Sequence, residues 1–231
     1  MMRRLGFAIA FIALGGLSAL AQSKPDDCNG IDFDAKQPLV VAKITAKPRI
    51  HYVKSAWENA ACPANSEPCK GKAYVLTGDL VLTGKTHGAY TCVAYQSPRD
   101  RKQVWTNGWI LSSALSPVAP RTSPRLSDWI GTWVHTGGEI AIGKGKSGKL
   151  AIKGEQTYPA ALNVHSGVIE AHVMPTNGML AFADDGSVAF DKASEGDCLV
   201  RMQRIGALLL VEDNGACGGS MVTFTGLYRR K

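Results

Sequence analysis

Cys217 stands in the stretch "EDNGACGGS", inside a turn of Gly215, Gly218 and Gly219. A cysteine so placed can attack a carbonyl, bind a metal or close a disulfide. A thiolate nucleophile needs a histidine to activate it and usually a third group to orient that histidine. No histidine follows Cys217, and His135, His165 and His172 come before it singly, without metal-ligand spacing. Aspartates and glutamates are present, but no motif sets two of them as an acid/base couple. The remaining chemistry is the disulfide. Cys28, Cys62, Cys69, Cys92, Cys198 and Cys217 form an even set, as expected of an exported chain in an oxidising compartment. Only Cys198 and Cys217 lie in the C-terminal half, so they must pair if the halves fold separately. The other four allow three connectivities, of which local spacing prefers Cys62–Cys69 with Cys28–Cys92. Closing the loop between Cys198 and Cys217 stabilises a domain by roughly 3 kcal/mol on the chain-entropy estimate. The expectation is a protein that is not an enzyme, with no cofactor and no bound metal.

The compartment is read from the other end of the chain. Arg3 and Arg4 precede an apolar run from Leu5 to Leu14, followed by Ala19-Leu20-Ala21, the small-x-small pattern of a cleavage site. Residues 1–21 read as a signal peptide. The run is shorter than the roughly 20 residues of a spanning helix, so no transmembrane segment is expected and the location is periplasmic or secreted. Without the leader, 24 basic residues stand against 19 acidic, a net charge of +5. The excess is confined to residues 22–126, at +6, while residues 127–231 carry −1. A basic half suits an anionic surface such as cell-wall polymer, lipid headgroups or an acidic protein; ordinary solubilising charge is the other reading. Nucleic acid is not an expected partner, because no aromatic-basic motif is present.

About 210 mature residues suggest two domains. The segment "SPVAPRTSPRLS" interrupts the apolar alternation with three prolines and reads as a linker over 116–126. A lead segment covers 22–42. Between them, over 43–115, "RIHYVKSA", "AYVLTGDLVLTGKT", "YTCVAYQS" and "VWTNGWILSSAL" are short β-rich runs divided by turn residues. Over 127–231, nine runs from "WIGTWVHT" to "MVTFTGLYRR", with "GSVAFDK" among them, are divided by glycine-containing turns. No amphipathic helix is evident, so the class is all-β: a small barrel followed by an eight- or nine-stranded antiparallel meander barrel.

In the first unit, Gly78-Asp79 before a strand, Tyr90 opening the next, Gly108-Trp109-Ile110 and a closing "SSAL" resemble the bacterial SH3-like domain. The resemblance implies a non-catalytic binding module that acts at the cell wall. It places Tyr74, Tyr90, Tyr95 and Trp105 as candidates for a ligand groove between loops, with membership of the core as the alternative for each. Lys70, Lys72, Arg99, Arg101 and Lys102 flank the same loops and suit an anionic ligand. In the second unit, Gly131-Thr132-Trp133 at the start and Arg229-Arg230 at the end resemble calycin-type barrels such as lipocalins and avidins. That likeness implies an arginine over the indole, an attraction of about 0.5–2 kcal/mol. Eight strands leave an interior that side chains can fill, so a packed barrel is expected over a hollow one. The chain as a whole resembles exported proteins of Gram-negative bacteria that join an SH3-like domain to a β-domain ending in "DN-x-x-CGG…F-x-G-x-Y-R-R".

The function expected is therefore attachment, through the SH3-like module, to peptidoglycan or an envelope protein. One alternative is a periplasmic inhibitor like those of lysozyme, for which Asp184, Asp185, Glu212 and Asp213 would supply the contact. A small-ligand carrier is another, if the barrel is hollow. A hydrolase ranks below these.

Overall fold

The structure is a computed structural model that describes residues 27–97, 105–194 and 196–231. The expected signal peptide lies outside the described residues. The chain is all-β and divides into two antiparallel sheets. No helix among the described residues is long and apolar enough to cross a membrane.

The first sheet holds β1 (Val40–Ile44), β2 (Arg49–Val53), β3 (Lys70–Leu76), β4 (Leu80–His87), β5 (Tyr90–Gln96), β6 (Trp105–Leu111) and β7 (Leu115–Val118). Their order is β3-β2-β6-β5-β4-β1-β7. The sheet thus takes one strand from each flank of the 43–115 span. β1 begins inside the lead segment, β7 starts at Leu115 and runs into the proline-rich linker, and they pair with each other from Val41↔Val118 to Ile44↔Leu115. Ala42 and Ile44 are required in the core, which explains the first extension. Pro117 is tolerated because β7 is an edge strand with no further neighbour to receive an amide hydrogen. At the β3–β4 turn Gly78 adopts φ 91°, and the Asp79 carboxylate accepts the Leu76 amide at 2.8 Å.

The second sheet holds β8 (Gly131–His135), β9 (Gly138–Lys144), β10 (Leu150–Pro159), β11 (Val164–Val173), β12 (Met179–Ala183), β13 (Leu199–Ile205), β14 (Leu208–Asp213) and β15 (Gly226–Arg230). The order β11-β10-β9-β8-β15-β14-β13-β12 inserts the last strand between β8 and β14, making a nearly closed barrel. It has eight strands. The run "GSVAFDK" forms only a single bridge, Ala183↔Val188, and a tight turn at Phe190–Lys192. Asp184 and Gly186 take positive φ there, and the Asp185 carboxylate accepts the Ser187 amide, so the backbone turns instead of extending.

The barrel interior is occupied by side chains, among them Trp129, Trp133, Ile140, Ile152, Phe182, Met202, Leu209 and Tyr228. Gly154 shows how closely they pack: a Cβ there would stand 2.7 Å from Ile169.

The two sheets meet over a second apolar cluster. Period-2 alternation puts Ala42, Val81 and Val93 into the first core and their neighbours Val41, Leu82 and Ala94 on the opposite face. That face packs on Ile205 and Leu210 of the second sheet. Consequently β13 is buried along its whole length, with Val200 and Met202 facing the barrel and Ile205 facing the first sheet.

Candidate functional site

Cys217 is closed in a disulfide with Cys198, at a Cα separation of 4.6 Å. Cys28 pairs with Cys92 and Cys62 with Cys69, which leaves no thiol available as a nucleophile. Three disulfides favour an oxidising compartment outside the cytoplasm. The glycines beside Cys217 serve close approach. Gly218 bridges Gly167 of β11, and a Cβ on Gly167 would stand 2.5 Å from the Cys217 carbonyl oxygen. The buried Asp213 carboxylate ties the returning chain, accepting the amides of Gly215, Phe224 and Thr225 and the Thr223 hydroxyl.

Trp133 is fully buried, with two guanidinium groups over its ring. The Arg230 carbon is 4.8 Å and the Arg204 carbon 4.4 Å from the ring centre. Both arginines donate to the Asp128 carbonyl, and the indole N–H donates to the Trp129 carbonyl at 2.8 Å. Gly131, at φ 144°, lies against Arg230, where a Cβ would meet its Nε at 3.2 Å. This end of the barrel is a cation–π plug. Arg229, one residue before, projects elsewhere, into the space between the sheets. Arg204 had no sequence signal, since only the β13–β14 register brings it over the indole.

The aromatic and cationic residues expected to bind a ligand separate into three places. Tyr90 is in the core with Trp109 and the Cys28–Cys92 disulfide, so it is corrected from groove to core. The reason is that β5 is covered on both faces, and its first five residues are all buried.

Lys70, Lys72 and Tyr74 occupy alternate positions of β3, an edge strand, and so share its outward face. Register adds Arg49 and His51, opposite Leu76 and Tyr74 on β2. The Arg49 guanidinium lies 4.8 Å from the Tyr74 ring centre, and the His51 ring 5.5 Å from it. Trp57, in the loop from β2 to β3, is 68 % exposed, and Tyr74 is 45 % exposed. The Cys62–Cys69 disulfide and the bonds from Lys54 to the Cys69 and Pro68 carbonyls hold that loop to the sheet. Trp57 was missed in the sequence because it follows the run "RIHYVKSA" in a loop with no strand pattern. Arg99, Arg101 and Lys102 lie outside the described residues.

Tyr95 and Trp105 line a third place, a cleft of about 460 Å³ between the sheets. The first sheet also contributes Asp79 and Gln96, and the second His135, Leu227 and Arg229. The His135 ring stacks on Tyr228 at 4.8 Å, and its burial pulls the imidazole down to a pKa of about 4, so it is neutral at pH 7. Among the described residues, no group of three or more His, Cys, Asp or Glu side chains is arranged to hold a metal ion. No protein family, curated protein or solved structure matches the chain.

Proposed function

We propose that this is an exported, non-catalytic binding protein that attaches to the cell envelope through the outward face of β2 and β3. The observation that carries the reading is the exposed grouping of Tyr74 with Arg49, Lys70 and Lys72 on β2 and β3, with a further exposed ring, Trp57, in the loop that joins these strands. Exposed aromatic rings supply large rigid contact area, and ammonium and guanidinium groups bind carboxylates. Peptidoglycan offers a matching surface of sugar rings and peptide carboxylates. An SH3-like reading of the first domain and a signal peptide over residues 1–21 agree with this assignment.

The inhibitor reading loses two of its four contact residues. Asp213 is engaged in the turn, and Glu212 is wholly buried against Arg201. A carrier function inside the barrel is opposed by the side chains that occupy it.

Purified sacculi, incubated with the mature protein at moderate salt and pelleted, test the proposal. Retention above that of a neutral control protein is the expected result; equal retention would remove the wall-binding reading and leave an envelope protein as the partner to seek.

A further inference from the structure

We propose that the cleft between the two sheets is a separate binding site for a small zwitterion with apolar side chains, of the class of a short apolar peptide. At about 460 Å³ it lies within the range of roughly 300–1,000 Å³ typical of small-ligand pockets, which favour domain interfaces. It is preformed, because the two domains are locked by the apolar cluster of Val41, Leu82, Ala94, Ile205 and Leu210.

The walls specify the ligand. Leu80, Leu82, Leu208, Leu227 and the Trp105 ring give an apolar lining. Two opposite charges open onto it from different domains, Asp79 from the first and Arg229 from the second. They are not paired with each other. Asp79 accepts the Leu76 amide through one carboxylate oxygen, and the Arg229 guanidinium has no hydrogen-bond or ion-pair partner among the described residues.

A guanidinium suits a carboxylate, and a carboxylate suits an ammonium. A dipeptide with aliphatic side chains carries all of these on a body of the right size. This inference does not depend on wall attachment, since the β2–β3 face contributes no residue to the cleft.

The test is calorimetric titration of leucyl-leucine into the mature protein, beside its methyl ester and its N-acetyl derivative. Saturable binding of the free dipeptide is expected, weakened about tenfold or more in the ester, in the N-acetyl derivative and in Arg229→Gln. Because Arg229 is exposed, the variant should keep its melting temperature, which is measured in parallel. The ester should bind wild type and Arg229→Gln alike. No binding at concentrations up to roughly 10 mM overturns the proposal. So does binding that ignores the ester, the acetyl group or the Arg229 substitution.

Discussion

Arg201 and Glu212 form an ion pair of 2.6 Å between neighbouring strands, with side chains only 3 % and 0 % exposed. They are shielded because the lead segment lies across them. The Arg201 guanidinium donates to the carbonyls of Asp34, Ala35 and Gln37, and Glu212 accepts the Leu39 amide. Residues 34–39 therefore strap the entry to the first sheet onto the outside of the second barrel.

The strap predicts that Arg201→Ala is severely destabilising. It leaves Glu212 as a buried unpaired charge and three carbonyls without their donor, a loss on the order of 3–5 kcal/mol. Urea unfolding measures it. Limited proteolysis should also show new cleavage within residues 31–39, which a loss confined to the barrel core would not produce.

Replacing Cys198 and Cys217 together by serine should cost about 3 kcal/mol, from the loop of 19 residues that the disulfide closes. Binding by the first domain should be nearly unchanged, because neither sulfur lies near β2 or β3 in the fold. A thermal melt and a binding assay on the same preparation check both halves of the statement.

His135 gives a pH dependence of definite sign. An unfolded-chain imidazole takes up its proton near pH 6.5, whereas burial delays this in the folded protein to about pH 4. The folded-state pKa is depressed, so stability is undiminished above about pH 6.5 and falls as pH drops from there toward 4, by up to about 1.4 kcal/mol per unit. His135→Phe should remove that part of the slope. Urea midpoints for both proteins across this window give the comparison, and identical slopes would count against it.

Much of the fold is written in local pattern. Turns between alternating runs mark β2 to β6 of the first sheet and the strands of the second, while β1 and β7 are not among the runs, and the connectivity preferred on cysteine spacing is the one the structure contains. The contacts between domains leave no such trace. Arg201 binds three backbone carbonyls of the lead segment, and carbonyls have no sequence identity. Covering both faces of β5 and β13 erases the alternation that would separate an outward Tyr90 from an inward one. Tyr74 keeps its exposure only because β3 is an edge, a property of strand order. The cleft is likewise a product of docking, so Tyr95 and Trp105 could be named as candidates without the Arg229 and His135 that face them.

The most direct test of attachment through the β2–β3 face is co-sedimentation with purified sacculi of wild type and of a variant carrying Trp57→Ala, Lys72→Glu and Tyr74→Ala. All three side chains are exposed, so the variant should melt within about 0.5 kcal/mol per site of wild type. Wild type should pellet with sacculi, less so as salt rises and screens the cationic face, while the variant stays in the supernatant. A folded variant that pellets as wild type does, with the same salt dependence, would contradict the assignment.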